Sequence, residues 1–309
     1  MLTLLALALA DAPPPVVNGY ETTNYPEAGL ILLRDRSGNV FGYCTATAVH
    51  ARSLLTAAHC LDGDVTAIGS VQVTFERDYA EARRGDWTEA TAWALHPDFD
   101  ATTLTDDLAV IHFDEDLAAP VMQLAQAAPS ERDVGQNFRL VGYGLTSGDA
   151  ETDPVRRAAD VPMSDFTDNW LWLLDKRDHR NACFGDSGGP VLRVYDDGSY
   201  AQASVTSWIT TCDDGGTAST RLDNALAFLA DEGIPYTLYG DAPPSYPAAD
   251  EDLDPEDDDP YVDTYGLGGD DEASCGHAGG VGGWLATIAA VSVGGRRRWA
   301  LRAARCTGR

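Results

Sequence analysis

Short apolar runs separated by glycine, aspartate and proline recur through the first two thirds of the chain, and they constrain its fold most strongly. Apolar runs of roughly four to eight residues between turn signals are typical of strands. Many short strands in succession favour an antiparallel barrel or sandwich over alternating strands and helices. The runs cover residues 29–33, 42–49, 54–58, 71–75, 108–113, 138–143, 190–195 and 203–209.

One helical pattern follows these runs. Its apolar residues recur at the spacing of one helix face, and the pattern ends near Gly233. We therefore predict an all-β domain with a C-terminal helix. The residues of that helix face are Leu222, Ala225, Leu226, Phe228 and Leu229.

The composition changes after residue 232. Residues 233–273 are rich in Asp, Pro, Gly and Tyr, and 13 acidic side chains lie in residues 241–272. Such a segment buries too little apolar surface to offset the entropy of ordering, so we predict a disordered, extended acidic linker. The formal net charge of −28 also argues against binding to nucleic acid or to an anionic membrane.

The first residues of the chain are apolar and end in small side chains. Residues 1–10 are too few to span a bilayer, so we predict a secretory signal peptide over residues 1–12, cleaved near Ala10 or Ala12. The alternative, a buried first helix, is disfavoured by the run Pro13-Pro14-Pro15, which we interpret as a short propeptide. Export would allow the six cysteines to form disulfides.

The strongest chemical motif is the hexapeptide of residues 185–190, Gly-Asp-Ser-Gly-Gly-Pro. A serine hydroxyl needs an adjacent base and hydrogen-bond donors for the oxyanion that forms. Glycines on both sides of Ser187 allow a sharp turn in which the amides of Gly185 and Ser187 point to one spot. The alternative is a glycine-rich turn with an incidental serine, which this full motif disfavours.

A candidate base and a candidate carboxylate lie upstream. His59 is flanked by small residues and by Cys60, which can be bridged to Cys44 to fix the segment. A His beside a Cys could instead be a metal ligand, but no second His or Cys stands at ligand spacing, so we expect no metal. Asp107 opens an apolar run, where a carboxylate must be paired; taken alone, it would be interpreted as a turn residue.

The order His59, Asp107, Ser187, in these contexts, resembles the chymotrypsin/trypsin-like serine proteases over residues 16–231. The resemblance implies two packed six-stranded antiparallel β-barrels over residues 16–232, with the active site between them. It implies a catalytic triad in which Ser187 attacks, His59 moves the proton and Asp107 orients His59. The Gly185 and Ser187 amides would form the oxyanion hole, and no cofactor is required.

Further positions match the same family. Val16 resembles the mature N-terminus whose freed α-amino group pairs with the aspartate before the serine, here Asp186. Ser207 and Trp208 resemble the strand that supports the aspartate and binds substrate backbone, and the Cys183–Cys212 pair resembles the staple of the specificity pocket. The stretch Gly142-Tyr143-Gly144 resembles a Gly-Trp-Gly motif of the family.

The chain also departs from the family. The family's cysteine pair ahead of the serine loop is missing, and a trypsin-like activator would not cut after Pro15. The position at the bottom of the pocket falls on Asn181, which cannot neutralise Lys or Arg, while Ile209 and Thr217 would narrow the walls. We therefore predict cleavage after small aliphatic residues, in the manner of elastases.

The C-terminal segment, residues 274–309, has an order of its own. Cys275 precedes the uncharged, Gly-rich residues 278–295, which are followed by three arginines from Arg296. This order resembles the Cys-containing C-terminal sorting signals of Gram-negative surface proteins, most like the myxobacterial type. It implies transient contact with the membrane and sorting machinery, display at the cell surface and removal of Cys306. The alternatives are a weak permanent anchor or a tail without a role.

Three functional hypotheses remain open to comparison. We favour a monomeric secreted serine endopeptidase acting on proteins or peptides. The second is a catalytically silent protease-fold binding module, which would usually have lost the His or the Ser. A lipase-like hydrolase is disfavoured because its serine would precede its histidine along the chain.

Overall fold

The computed structural model describes residues 16–62, 68–150 and 152–239, and the backbone of 288–293 and 296–301. The chain divides into two units, Met1–Pro244 and Ser245–Arg309. The predicted signal peptide and propeptide, residues 1–15, lie outside the described residues. Strands of the first unit, in chain order, are β1 (Tyr20–Glu21), β2 (Ala28–Asp35), β3 (Val40–His50), β4 (Ser53–Thr56), β5 (Ile68–Thr74), β6 (Thr88–Glu89), β7 (Ala92–Leu95), β8 (Ala109–His112), β9 (Leu124–Ala125), β10 (Asn137–Gly142), β11 (Arg157–Phe166), β12 (Trp170–Leu173), β13 (Pro190–Val194), β14 (Tyr200–Ile209), β15 (Thr217–Arg221) and β16 (Leu238–Tyr239).

The first half of this unit is an antiparallel sheet in the order β6-β5-β2-β3-β4-β8-β7. Its two edge strands are consecutive in the chain. Between them, the Ala90 amide donates to Val71 O at 2.9 Å and the Thr91 amide donates to His112 O at 2.9 Å. Residues 88–95 therefore bridge β5 and β8 and close the sheet into a barrel. In this barrel the short strands β6 and β7 together take the place of one strand, so that six strand positions result.

The second half is a closed barrel. Strands β10, β11, β12, β15, β14 and β13 pair in that order, and β13 pairs with β10 to complete the ring. The predicted fold, two antiparallel β-barrels with a C-terminal helix, is confirmed. Alternating inward residues fill the second barrel, among them Phe138, Leu140, Val161, Met163 and Val191.

The C-terminal helix α1 (Leu226–Asp231) packs Phe228 and Leu229 into the core of the first barrel. It ends where predicted, because Gly233 adopts a positive φ of 70° and the Ile234 amide donates to Leu229 O. Leu222 and Ala225 belong to the same buried cluster but precede the helix.

Residues 233–239 correct the predicted start of the acidic linker. Ile234 is buried, and β16 pairs in parallel with β9 of the barrel sheet. The folded unit therefore reaches at least Tyr239, because these residues supply apolar side chains and a strand. The remaining predicted linker, residues 240–273, lies outside the described residues.

The second unit is described only as backbone. Strands β17 (Ile288–Val293) and β18 (Arg296–Leu301) pair antiparallel, with Ile288 opposite Leu301. Within the described part of the chain, no helix is long and apolar enough to cross a membrane.

Candidate active site

Strand pairing brings the predicted base and carboxylate together. β4 pairs antiparallel with β8, and Thr56 lies opposite Ala109. His59 sits in a 3₁₀ turn, Ala58–Cys60, just after β4, while Asp107 stands two residues before β8. The end of one strand and the start of its neighbour share an edge of the sheet, so the two side chains meet.

The Asp107 carboxylate is fully buried and completely engaged. Its Oδ1 accepts the His59 backbone amide at 2.8 Å, and its Oδ2 lies 2.7 Å from His59 Nδ1. Ser207 donates its hydroxyl to the same Oδ2 at 2.6 Å. A buried charge with three partners is satisfied, and the imidazole is fixed with Nε2 turned away from the carboxylate.

The loop that carries Ser187 is fixed by glycine conformations. Gly185 and Gly188 have φ of 99° and 82°, which other residues rarely adopt. A Cβ on Gly185 would overlap the Tyr43 ring, and one on Gly188 would overlap the Thr56 hydroxyl. The turn at this point therefore requires glycine on both sides of Ser187.

His59 and Ser187 line one cleft of about 230 Å³. Among the described residues, no hydrogen bond joins the Ser187 hydroxyl to the ring, and His59 Nε2 contacts Cys60 Sγ at 3.9 Å. The His59 side chain is 29% exposed, so both groups are open to a molecule in the cleft. The structure thus brings all three predicted catalytic residues to one place. The cleft is lined by His59, Leu104, Cys183, Phe184, Ser187, Thr206, Ser207, Trp208 and Ile209.

Two backbone amides near Ser187 are unused. Within the described residues, the amides of Gly185 and Ser187 donate no hydrogen bond, whereas those of Asp186, Gly188 and Gly189 all do. Free donors beside a nucleophile can bind a developing oxyanion. Their availability matches the predicted role of these two amides.

Asp186 lies behind the serine loop with 2% exposure. Its oxygens accept the Gly144 amide at 2.7 Å and the Cys183 amide at 2.8 Å. Burial raises the pKa of Asp186 to about 6, opposed by these two amides and by Arg157. The carboxylate occupies the space that side chains on Gly142 and Gly144 would fill, which explains the glycines of the Gly-Tyr-Gly stretch.

The predicted pairing of Val16 with Asp186 is not formed in the intact chain. Val16 is 1% exposed and packs in the core of the second barrel with Phe138 and Leu140. Its nitrogen is still in a peptide bond to Pro15, so it carries no charge to offer. The two Asp186 oxygens are held by other amides instead.

The predicted substrate-binding residues separate into two groups. Ser207, Trp208 and Ile209 line the cleft, whereas Asn181 and Thr217 do not. Thr217 donates its hydroxyl to Asn181 Oδ1 at 2.5 Å, and Asn181 Nδ2 donates to Thr211 O at 2.6 Å. These two side chains hydrogen-bond each other inside the protein, and their role in substrate binding stays a prediction.

Two disulfides support the site. Cys44 is bonded to Cys60, as the residues around His59 suggested, and Cys183 to Cys212, as the resemblance implied. Cys44, Cys60 and His59 are also the only group within the described residues with the spacing of metal ligands. Both sulfurs belong to the disulfide and cannot supply thiolates, so this group does not form a metal site.

Several residues around the site were not predicted. Thr45 ties the serine loop down: its hydroxyl donates to Gly185 O at 2.8 Å and its amide to Ser187 O at 2.9 Å. Leu104, Phe184 and Thr206 line the cleft. Phe184 could have been found from its position beside Gly185, but Thr45 lies in an ordinary strand pattern and Leu104 in a loop.

Comparison with known proteins agrees with this geometry. The family model described as Trypsin matches residues 16–229. A chymotrypsin of Phaedon cochleariae is 30% identical over 236 residues, covering 71% of this chain and 82% of the relative. Trypsin, alkaline A, of Manduca sexta is 31% identical, covering 68% and 90%. This chain therefore belongs to the trypsin family and is a serine endopeptidase.

Proposed function

We propose that the chain cleaves peptide bonds by an acyl-enzyme mechanism at the cleft that His59 and Ser187 share. Ser187 Oγ attacks the scissile carbonyl carbon as His59 Nε2 takes its proton. The resulting oxyanion accepts hydrogen bonds from the Gly185 and Ser187 amides. His59 then gives the proton to the leaving amine, and a water molecule, activated by His59, releases the acid product from Ser187.

One observation carries this assignment: Asp107 holds His59 by both its backbone and its ring at 2.8 and 2.7 Å. A buried carboxylate at Nδ1 selects the tautomer with Nε2 free to accept a proton, and it stabilises the imidazolium that forms. His59 and Ser187 line the same cleft, which supports a proton transfer between them.

We further propose a preference for small aliphatic residues at the cleaved position. Ile209 lines the cleft with a branched side chain, and Asn181 and Thr217 hydrogen-bond each other in the protein interior. None of these three side chains carries a carboxylate that could neutralise a substrate Lys or Arg. The pocket is therefore suited to Ala or Val and poorly suited to a cationic side chain.

The location of the protein is also a proposal. We infer export through residues 1–12, a propeptide at residues 13–15, and sorting to a Gram-negative cell surface by residues 274–309. The support is the order of apolar, cysteine-containing and arginine segments in the sequence. N-terminal sequencing and mass analysis of protein from its source would establish which segments are kept; intact residues 1–12 would contradict export by this route.

Two experiments test the enzymatic assignment. An active-site phosphonate should label Ser187, and the Ser187→Ala variant should not react; absence of labelling in the parent chain would favour the silent binding module. Turnover of matched peptides ending in Ala, Val, Phe or Arg should be highest for Ala and Val. A clear preference for Arg would refute the specificity.

A further inference from the structure

Asp186 is a buried acid without an ion pair. Within the described residues, no cation lies within salt-bridge distance of its oxygens, and above about pH 6 the carboxylate is charged. A buried charge without a counter-charge is strongly unfavourable. Displacement of Asp186 would change the conformation of the loop that carries Ser187, because Asp186 directly precedes Ser187 and accepts the Cys183 amide of the same loop.

Arg157 is the cationic side chain next to this acid. It is 4% exposed, and in the pairing of β10 with β11 it stands opposite Gly142. The space that a Gly142 side chain would fill is occupied by the Asp186 carboxylate. Arg157 Nη1 lies 3.5 Å from Gly144 O, while the Gly144 amide donates to Asp186 Oδ1. The guanidinium and the carboxylate therefore lie on either side of Gly144, one at its carbonyl and one at its amide, beyond the distance of a direct salt bridge.

The other contacts of Arg157 leave its charge poorly compensated. Its nearest acidic group is Glu21, at 3.9 Å and with a side chain that is 48% exposed. Its Nε is buried without an acceptor. Burial lowers the pKa of Arg157, and Glu21, Asp186, Tyr43 and Asp78 oppose this shift. Because a guanidinium stays protonated in proteins, a cation remains in the interior and needs a nearby anion.

We propose that Arg157 supplies the counter-charge of Asp186 while the chain is uncut before Val16, so that the Ser187 loop is held in its working conformation without proteolytic activation. Arg157 is then a positioning residue, and the inference rests on the proposed role of Ser187. Two observations agree with it. Val16 is already buried in the intact chain, and the three prolines before it suit few processing enzymes.

The test compares two forms of the full chain: one with residues 13–15 attached, and one that starts at Val16 after release from a fusion. The parent protein should hydrolyse an Ala peptide with kcat values that agree to within about threefold in both forms. Arg157→Gln should lower kcat of the uncut form by at least about tenfold, while the form starting at Val16 regains activity through its α-amino group. Arg157→Lys should rescue the uncut form.

The matched control is Arg156→Gln, which removes a neighbouring buried arginine that donates to Tyr25 O and Ala28 O. It should lower stability without changing the ratio between the two forms. The proposal is overturned if the parent chain is active only when it starts at Val16, or if Arg157→Gln affects both forms equally or neither. Failure of both parent forms to react with a phosphonate would instead overturn the proposed function, and this inference with it.

A second measurement needs no enzymatic activity. Ser187→Ala chains with residues 13–15 attached are unfolded in urea with Arg157→Gln, Asp186→Asn, or both. The coupling predicts that Arg157→Gln, which removes the charge, costs less stability in the chain that also carries Asp186→Asn than in the chain that keeps Asp186. Additive effects on the urea midpoint would contradict the pairing of these two charges.

Discussion

Asp107 contacts His59 at two points, accepting the backbone amide on Oδ1 at 2.8 Å and lying 2.7 Å from Nδ1 through Oδ2. Two contacts to one carboxylate fix the position of the 3₁₀ turn and the orientation of the ring together. The orientation of the proposed base therefore follows from the pairing of β4 with β8.

The Ser207 hydroxyl is predicted to contribute to catalysis through Asp107. Ser207→Ala removes a 2.6 Å hydrogen bond to a buried carboxylate, so we expect kcat to fall by about tenfold with KM nearly unchanged. Steady-state kinetics on an Ala peptide checks this. Ser204→Ala is the control, because Ser204 is buried on the same strand but bonds Ser219; equal losses in both variants would contradict a specific role.

The Cys44–Cys60 disulfide is predicted to stabilise the fold as well as the His59 turn. Replacing both cysteines by alanine opens a loop with a sequence separation of 16. The free energy of unfolding should fall by about 3 kcal/mol in the chain-entropy description. Urea unfolding of the variant in a Ser187→Ala background measures it, and an unchanged midpoint would show that the bond adds no stability.

Ile209 is predicted to limit the size of the side chain that enters the cleft. Ile209→Gly removes a branched side chain from the lining, so turnover of a Phe peptide should rise relative to an Ala peptide by about tenfold or more. The ratio of kcat/KM values for the two peptides is the measurement. A ratio that stays constant would mean that another residue sets the size limit.

The buried Asp186 predicts a pH dependence of stability in the uncut chain. Its folded pKa of about 6 lies above the ordinary value of 3.8, so the folded state binds more protons between these two values. Its contribution to the free energy of unfolding therefore falls as pH rises from about 4 to about 6, by about 3 kcal/mol in total.

Comparing Ser187→Ala with Ser187→Ala/Asp186→Asn isolates this residue from the other carboxylates. The doubly substituted chain should gain in relative stability between pH 4 and pH 7 when unfolded in urea. A difference that is independent of pH, or that changes in the opposite direction, would be inconsistent with the raised pKa.

The strands that the sequence predicted are those with long aliphatic runs. All eight apolar runs overlap strands, whereas eight described strands of the first unit were not predicted: β1, β6, β7, β9, β11, β12, β15 and β16. β15 has the sequence TASTR, and its buried Ser219 is satisfied by Ser204 and Leu171 O. A strand rich in Ser and Thr has the composition of a loop. It can be recognised as a strand only from the hydrogen bonds that its hydroxyl groups make in the folded barrel.

The residues of the candidate site were likewise predictable from the sequence only in part. Short motifs around His59, Asp107 and Ser187 were sufficient to select these residues, because the chemistry demands particular neighbours. The hydrogen bonds of Asn181 depend instead on Thr217 and Thr211. Both residues are far from Asn181 in the sequence, and they become its neighbours only in the folded chain, in which β14 and β15 are paired. Side chains that satisfy each other across strands cannot be distinguished from pocket residues by pattern alone.

The central claim is that His59 and Ser187 act as one catalytic unit, and a double-mutant cycle on kcat tests it most directly. Ser187→Ala and His59→Ala should each lower kcat of the folded enzyme by at least about a thousandfold. The double variant should lose no more than either single one. Multiplicative losses, or substantial turnover by Ser187→Ala, would contradict the assignment.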